Sequence, residues 1–186
     1  GVVAQEVALL IPNQIKKMIL MNTPVLANVK GRKEATQKIH SQGSVVWWYQ
    51  YFLQMPVLPE TMIKGNEHVW VPYFFARGLQ AGIISREIVD EYVRCYSIPD
   101  TPATGAAYYR TIPEFEKRSD ELEGTVFQMP TLYIYGNQDI VVIPEYLNHI
   151  ETCFDSVEVA QLEAGHFVQD EKASETAQLM NQFLSK

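Results

Sequence analysis

Thr131-Leu132-Tyr133-Ile134-Tyr135-Gly136-Asn137-Gln138-Asp139 decides how this chain is read. Its first five residues are β-branched, aliphatic or aromatic. The run is short enough for a strand and apolar enough to be buried on both faces, as strands of parallel sheets are. Gly136 ends the run, and an acid follows within the turn. A second strand-like run, Ser156 to Leu162, leads into Ala164-Gly165-His166-Phe167. Parallel strands deliver their exits to one edge of the sheet, the carboxyl edge at which open α/β sheets place ligands. An acid leaving one strand and a histidine leaving the next are the second and third members of a hydrolytic triad in the chain order nucleophile, acid, histidine. The histidine is the base, and the acid holds its tautomer and stabilises the imidazolium. Alone, Asp139 reads equally well as a turn residue and His166 as a core or loop histidine. Their joint placement favours the pair. His40, His68 and His149 lack that context and are assigned to surface or lid packing.

The first member of the triad is expected outside the given sequence, because no Gly-x-Ser-x-Gly, nor an Asp or Cys equivalent, occurs in the 186 residues. Gly1 to Glu6 reads as the helix that follows such an elbow. An apolar helix over 2–10 stops at Ile11-Pro12-Asn13. Lys17 to Met21 is a buried strand, ended by Asn22-Thr23-Pro24. Helix, strand and loop in that order are half of an α/β unit. The fold class expected is therefore α/β, with parallel core strands flanked by helices.

Between residues 25 and 127 strand patterns vanish, and helical periodicity, aromatics and turn residues take over. Val45 to Gln54 is an aromatic-rich helix punctuated by Pro56 and Pro59, and His68 to Phe75 is a further aromatic stretch. Ser85 is the expected N-cap of a helix reaching Cys95, with Glu87 in its first turn. Thr104 to Arg110 is a short helix. The segment reads as a helical lid inserted between core strands, which divides the chain into core (1–24), lid (25–127) and core (128–186). In the last part, Pro144 to Glu151 and Lys172 to Leu184 are the expected helices.

An apolar fraction of 47% supports an ordinary packed core. A net charge of -7 and a pI near 5.1 argue against a nucleic-acid partner. The loose group Lys16, Lys17, Lys30, Arg32, Lys33 and Lys38 reads as solvated surface. Cys95 and Cys153 have no metal spacing. They are expected to be free, partly buried thiols, consistent with a reducing compartment, and a cytoplasmic location is favoured. No apolar run reaches the roughly 18 residues a membrane helix needs, so no membrane partner is expected.

The motifs together resemble the epoxide hydrolase and haloalkane dehalogenase branch of the α/β-hydrolase superfamily, over the whole chain and beginning just past the family's nucleophile elbow. Met21-Asn22-Thr23-Pro24 is similar to the exit from core to cap. Gly136-Asn137-Gln138-Asp139 is similar to the acid motif, and Gly165-His166-Phe167-Val168-Gln169-Asp170-Glu171-Lys172 to the histidine motif. The resemblance implies a C-terminal portion of an α/β-hydrolase fold with an inserted all-helical cap. It also implies a nucleophilic Asp and an oxyanion loop that match no position here.

In the cap, Trp48-Tyr49-Gln50-Tyr51-Phe52-Leu53-Gln54-Met55-Pro56 resembles the segment of soluble epoxide hydrolases in which a tyrosine precedes Gln. Ala107-Tyr108-Tyr109-Arg110 resembles the segment with the second tyrosine. The resemblance thus implies Tyr49 and Tyr109 as donors to the epoxide oxygen, Asp139 and His166 as the catalytic pair, and no cofactor or metal. Trp47, Trp48, Phe52 and Tyr108 are candidates for a pocket holding a small apolar substrate; packing alone explains such aromatics as well. Trp47 and Trp48 keep open a dehalogenase, where indole N–H groups hold the halide. A serine on the elbow would give an esterase. A non-catalytic fragment is the reading of another class. A lone chain would expose the edge of its parallel sheet, which a further segment, a second polypeptide or another copy of the chain is expected to cover.

Overall fold

The computed structural model describes residues 1–186. Three parallel strands form the sheet: β1 (Met18–Met21), β2 (Thr131–Gly136) and β3 (Val157–Leu162), in that spatial order. The central strand is buried at every position. Leu132 and Ile134 face one side and pack against Ala164, Val168 and Phe183. Burying each such side chain stabilises the fold by about 1.5–3 kcal/mol. Tyr133 and Tyr135 alternate to the other side, where their phenols donate to the Thr23 and Val142 carbonyls at 2.7 and 3.1 Å. The apolar run therefore marks burial on both faces, as expected from its sequence.

Two compact units result. One comprises Gly1–Ser44 and Glu116–Lys186 and holds the sheet; the other is Val45–Phe115 and is helical throughout. In the sheet unit, α1 (Val2–Leu10) is tied down by Gln5, fully buried, whose amide donates to the Pro24 carbonyl at 3.0 Å and accepts from the Leu26 N–H at 2.8 Å. Helix α2 (Val29–Ser41) starts at Asn28, whose side chain accepts from the Gly31 N–H and donates to the Tyr146 and Asn148 carbonyls. These bonds hold residues 25–44 to the sheet unit, although their sequence reads as part of the lid. The chain closes with α9 (Val168–Glu171) and α10 (Ala173–Ser185). Lys17 donates to the Phe183 and Leu184 carbonyls at 2.8 and 3.0 Å, capping the negative end of α10.

The basic group over 16–38 is indeed solvated or paired: Arg32 bonds Asp120 at 2.5 Å, and Lys38 pairs with Glu145. Cys95 is exposed and Cys153 buried, so neither thiol is half-buried as expected. The helix expected over 144–151 is two 3-10 turns, Pro144–Leu147 and Ile150–Cys153. His149 between them has φ 66, which breaks the helical path. No helix is long and apolar enough to cross a membrane.

The helical unit contains α3 (Trp48–Gln54), α4 (Leu58–Ile63), α5 (Glu67–Gln80), α6 (Arg86–Tyr96) and α7 (Thr101–Arg110). A further helix, α8 (Ile112–Glu121), begins in this unit and ends in the sheet unit. Ser85 caps α6, accepting from the Ile88 N–H at 3.4 Å, as its sequence indicates. Leu53, Ile63 and Ala106 form the buried centre of the unit. Arg110 joins α7 to α4 by donating to Glu60 at 2.5 Å and to the Met55 carbonyl at 2.8 Å.

Before α4 the chain makes a tight turn at Val57 (φ 67, ψ -37), with the Leu58 N–H donating to the Pro56 carbonyl at 2.7 Å. A β-branched residue in this region stores about 1–3 kcal/mol of strain. Val57 is 71% exposed and gains little from burial in return. Val57→Gly should relieve more strain than it adds in unfolded-state entropy and raise the thermal midpoint by about 2–4 °C. An unchanged or lowered midpoint would show the turn to be unstrained.

Candidate active site

The ladder between β2 and β3 ends with Gly136 opposite Leu162. Beyond it the two exits stay joined: the Asn137 N–H donates to the Leu162 carbonyl and the Gln138 N–H to the Ala164 carbonyl, both at 2.9 Å. Asp139 follows the first exit and His166 the second. Asp139 Oδ2 lies 2.8 Å from His166 Nδ1. The sequence-derived pair is thus brought together, from residues far apart in the chain, by parallel register and two short turns.

The Asp139 carboxylate is fully buried, whereas the His166 imidazole is about a third exposed. Asp139 Oδ1 accepts from the Val141 and Val142 N–H groups at 2.7 and 3.2 Å. One carboxylate oxygen thus closes the turn and the other faces the imidazole. Where Oδ2 accepts, Nδ1 is the donor, and in the neutral imidazole the lone pair then lies on Nε2, the tautomer a general base requires. The phenol of Tyr135 is pushed up to about 12, by burial first and then by the negative charge of Asp139. Burial likewise pushes Tyr133 well above the ordinary phenol range. Both therefore stay protonated and donate.

Two glycines allow this approach. A Cβ on Gly136 would stand 2.6 Å from the Ala164 carbonyl oxygen and closer still to that of Gly165. Both obstacles are backbone and cannot swing aside. A Cβ on Gly165 would stand 2.8 Å from the Glu171 carboxylate.

In the helical unit, Tyr49 on α3 and Tyr109 on α7 also meet. Their rings are 5.7 Å apart at 84°. Gln50 donates to the Tyr49 hydroxyl at 3.3 Å. Burial, then the neighbouring Tyr49, push the Tyr109 phenol well above its ordinary range. It too remains a protonated donor. Tyr108 packs edge-on against Tyr109 and is 52% exposed. Trp48 packs on Tyr49, Phe52, Trp70 and Tyr73; Phe52 also lies against the buried centre of the unit, and Trp47 is the residue that precedes α3. His40, His68 and His149 are exposed, and His149 bonds Glu34 at 2.9 Å.

Asn22 escaped the sequence reading except as a loop residue. It is buried, and its side-chain amide bonds both strand exits. Its αL-prone residue type at a strand end is the only sequence signal that could have singled it out.

Comparisons with solved structures agree with this architecture. The chain is similar to a protein of Nostoc sp. PCC 7120 provisionally described as an alpha/beta hydrolase (24% identity, TM-score 0.79, covering 98% of this chain and 62% of that one). It is similar to the epoxide hydrolase of Bacillus megaterium crystallised with an inhibitor (25%, 0.72, 99% and 66%). It also resembles a laboratory-evolved variant of potato epoxide hydrolase (21%, 0.74, 99% and 66%). No family model and no curated protein matches. The fold is the C-terminal portion of the α/β-hydrolase fold, and the chain spans 62–66% of the length of these structures.

The close approach of the exits predicts the response to one methyl group. Gly136→Ala should lower the stability to urea by about 1–3 kcal/mol, as overpacking does. A midpoint equal to wild type would mean that the exits are not packed this closely.

Proposed function

We propose that this chain supplies the base, its orienting acid and the oxyanion donors of an epoxide hydrolase whose nucleophilic carboxylate lies outside the given residues. The observations that support the reading are the pairing of Tyr49 with Tyr109 in the helical unit, their rings 5.7 Å apart, and, in the sheet unit, the acid–histidine pair at the strand exits. In the first step the carboxylate oxygen attacks an epoxide carbon and the ring C–O bond breaks. Charge develops on the departing oxygen, where two placed O–H donors stabilise it; one proton is transferred and an alkyl ester remains. In the second step His166 Nε2 takes a proton from water, and the resulting hydroxide attacks the ester carbonyl. The acyl–oxygen bond breaks, the departing alkoxide takes the proton of the new carboxyl group and leaves as the diol, the carboxylate is restored, and the proton held by His166 returns to the phenol that gave one up. Asp139 holds the imidazole and stabilises its charged form. Neither step calls for a cofactor or metal.

Small apolar epoxides suit the aromatic side chains of the helical unit, with Trp47, Trp48, Phe52 and Tyr108 as the proposed lining. We also propose that the free edge of β1 is covered by further sheet. The alternatives on this fold are a dehalogenase and an esterase. The phenol pair favours epoxide opening over both, because the departing epoxide oxygen must gain a proton, which a phenol can donate, whereas a departing halide needs none and an ester oxyanion collapses without one.

In the complete protein, Tyr49→Phe combined with Tyr109→Phe should lower the opening of an aryl epoxide by about 10²-fold or more, since one oxyanion donor alone is worth about that much. Cleavage of an activated aryl ester should persist. Undiminished epoxide turnover by the double variant would remove the phenols from the mechanism.

A further inference from the structure

His166 sits on a turn, and a turn alone does not hold an imidazole to the accuracy catalysis requires. Its backbone is gripped on both sides. The Asn22 Nδ2 group donates to the Gly165 carbonyl at 2.7 Å and to the His166 carbonyl at 3.0 Å, and Asn22 Oδ1 accepts from the Gly136 N–H at 2.8 Å. On the other side, the Glu171 carboxylate accepts from the Gly165 N–H at 2.6 Å and the Phe167 N–H at 3.3 Å.

Asn22 is itself fixed. Its N–H continues the ladder to the Ile134 carbonyl at 3.2 Å. The next residue, Thr23, is held through both backbone groups by the Tyr133 phenol, which accepts from its N–H at 3.2 Å and donates to its carbonyl at 2.7 Å. The amide thus reaches from the end of β1 past the exit of β2 to the exit of β3, where glycine at 136 leaves room. The chemistry selects the residue. One acceptor and two donors are needed on a short side chain, in a backbone at φ 39 that asparagine tolerates. A carboxylate would face two carbonyls, and an aliphatic group would leave three backbone groups, the buried Gly136 N–H among them, without the partner they have here.

We propose that Asn22, opposed by Glu171, is the positioning residue that fixes His166 against Asp139. The inference rests on reading that pair as the base and its acid. Asn22 touches no reacting atom in this scheme; it acts through the peptide that carries the imidazole.

The test is the His166 Nδ1–H resonance in ¹⁵N-histidine-labelled protein, together with turnover of an aryl epoxide by the complete enzyme. Wild type should show a downfield, slowly exchanging Nδ1–H signal. Asn22→Gly keeps the positive-φ backbone accessible but removes the amide, and Glu171→Gln weakens the opposing grip without touching Asn22. Both folded variants should lose or broaden that signal while the rest of the amide spectrum is retained. In Asn22→Gly, kcat should fall about 10²-fold, the cost of a displacement of about 1 Å at a reacting group, with KM little changed. A wild-type Nδ1–H signal and kcat preserved in folded Asn22→Gly would overturn the positioning role. A wild type without any such signal would overturn the acid–histidine pair itself, and the proposal with it.

Discussion

The parallel pairing of β2 with β3, carried two hydrogen bonds beyond the strands, is the constraint on which the site depends. Leu162 faces Gly136 at the end of the ladder, and the Asn137 and Gln138 N–H groups then bond the Leu162 and Ala164 carbonyls. Two exits tied in this way cannot drift apart without breaking these bonds. The carboxylate and the imidazole then need only one further bond, at 2.8 Å, to form the pair. A slip of the register would turn Leu132 and Ile134 away from Val168 and Phe183. Hydrophobic burial therefore enforces the alignment that the chemistry uses.

Buried amides convert this alignment into a rigid edge. Gln5, Asn22 and Asn28 each satisfy backbone groups from segments distant in sequence. Each carries both donor and acceptor, so a single side chain can bridge an N–H and a carbonyl. Left unpaired, such groups would cost about 1–3 kcal/mol apiece, so the network specifies one arrangement of the exits over near alternatives.

Much of the fold was legible because its signals are local. The unbroken apolar run at 131–135 announces a strand buried on both faces, and Ser85 announces the start of α6. Asp139 and His166 were legible because strand exits and a residue pair sufficed to place them. What escaped the sequence is non-local. Asn28 resembles any loop asparagine until its bonds to Tyr146 and Asn148 are seen. Asn22 reads as the end of a strand and gives no hint that it reaches two others. The break at His149 depends on one backbone angle. The boundary of the helical unit, at Val45 and Phe115, is set by which helices pack together, and residues 25–44 look equally helical on either side of it.

The central claim is that His166 activates water against an ester formed on the enzyme. The most direct measurement is the intact mass of the complete protein carrying His166→Asn, taken after exposure to an aryl epoxide. The account predicts that the mass rises by one epoxide and stays there, because the first step proceeds and the second has lost its base. No adduct on a variant that still binds the epoxide, or an adduct that clears as fast as in wild type, would contradict it.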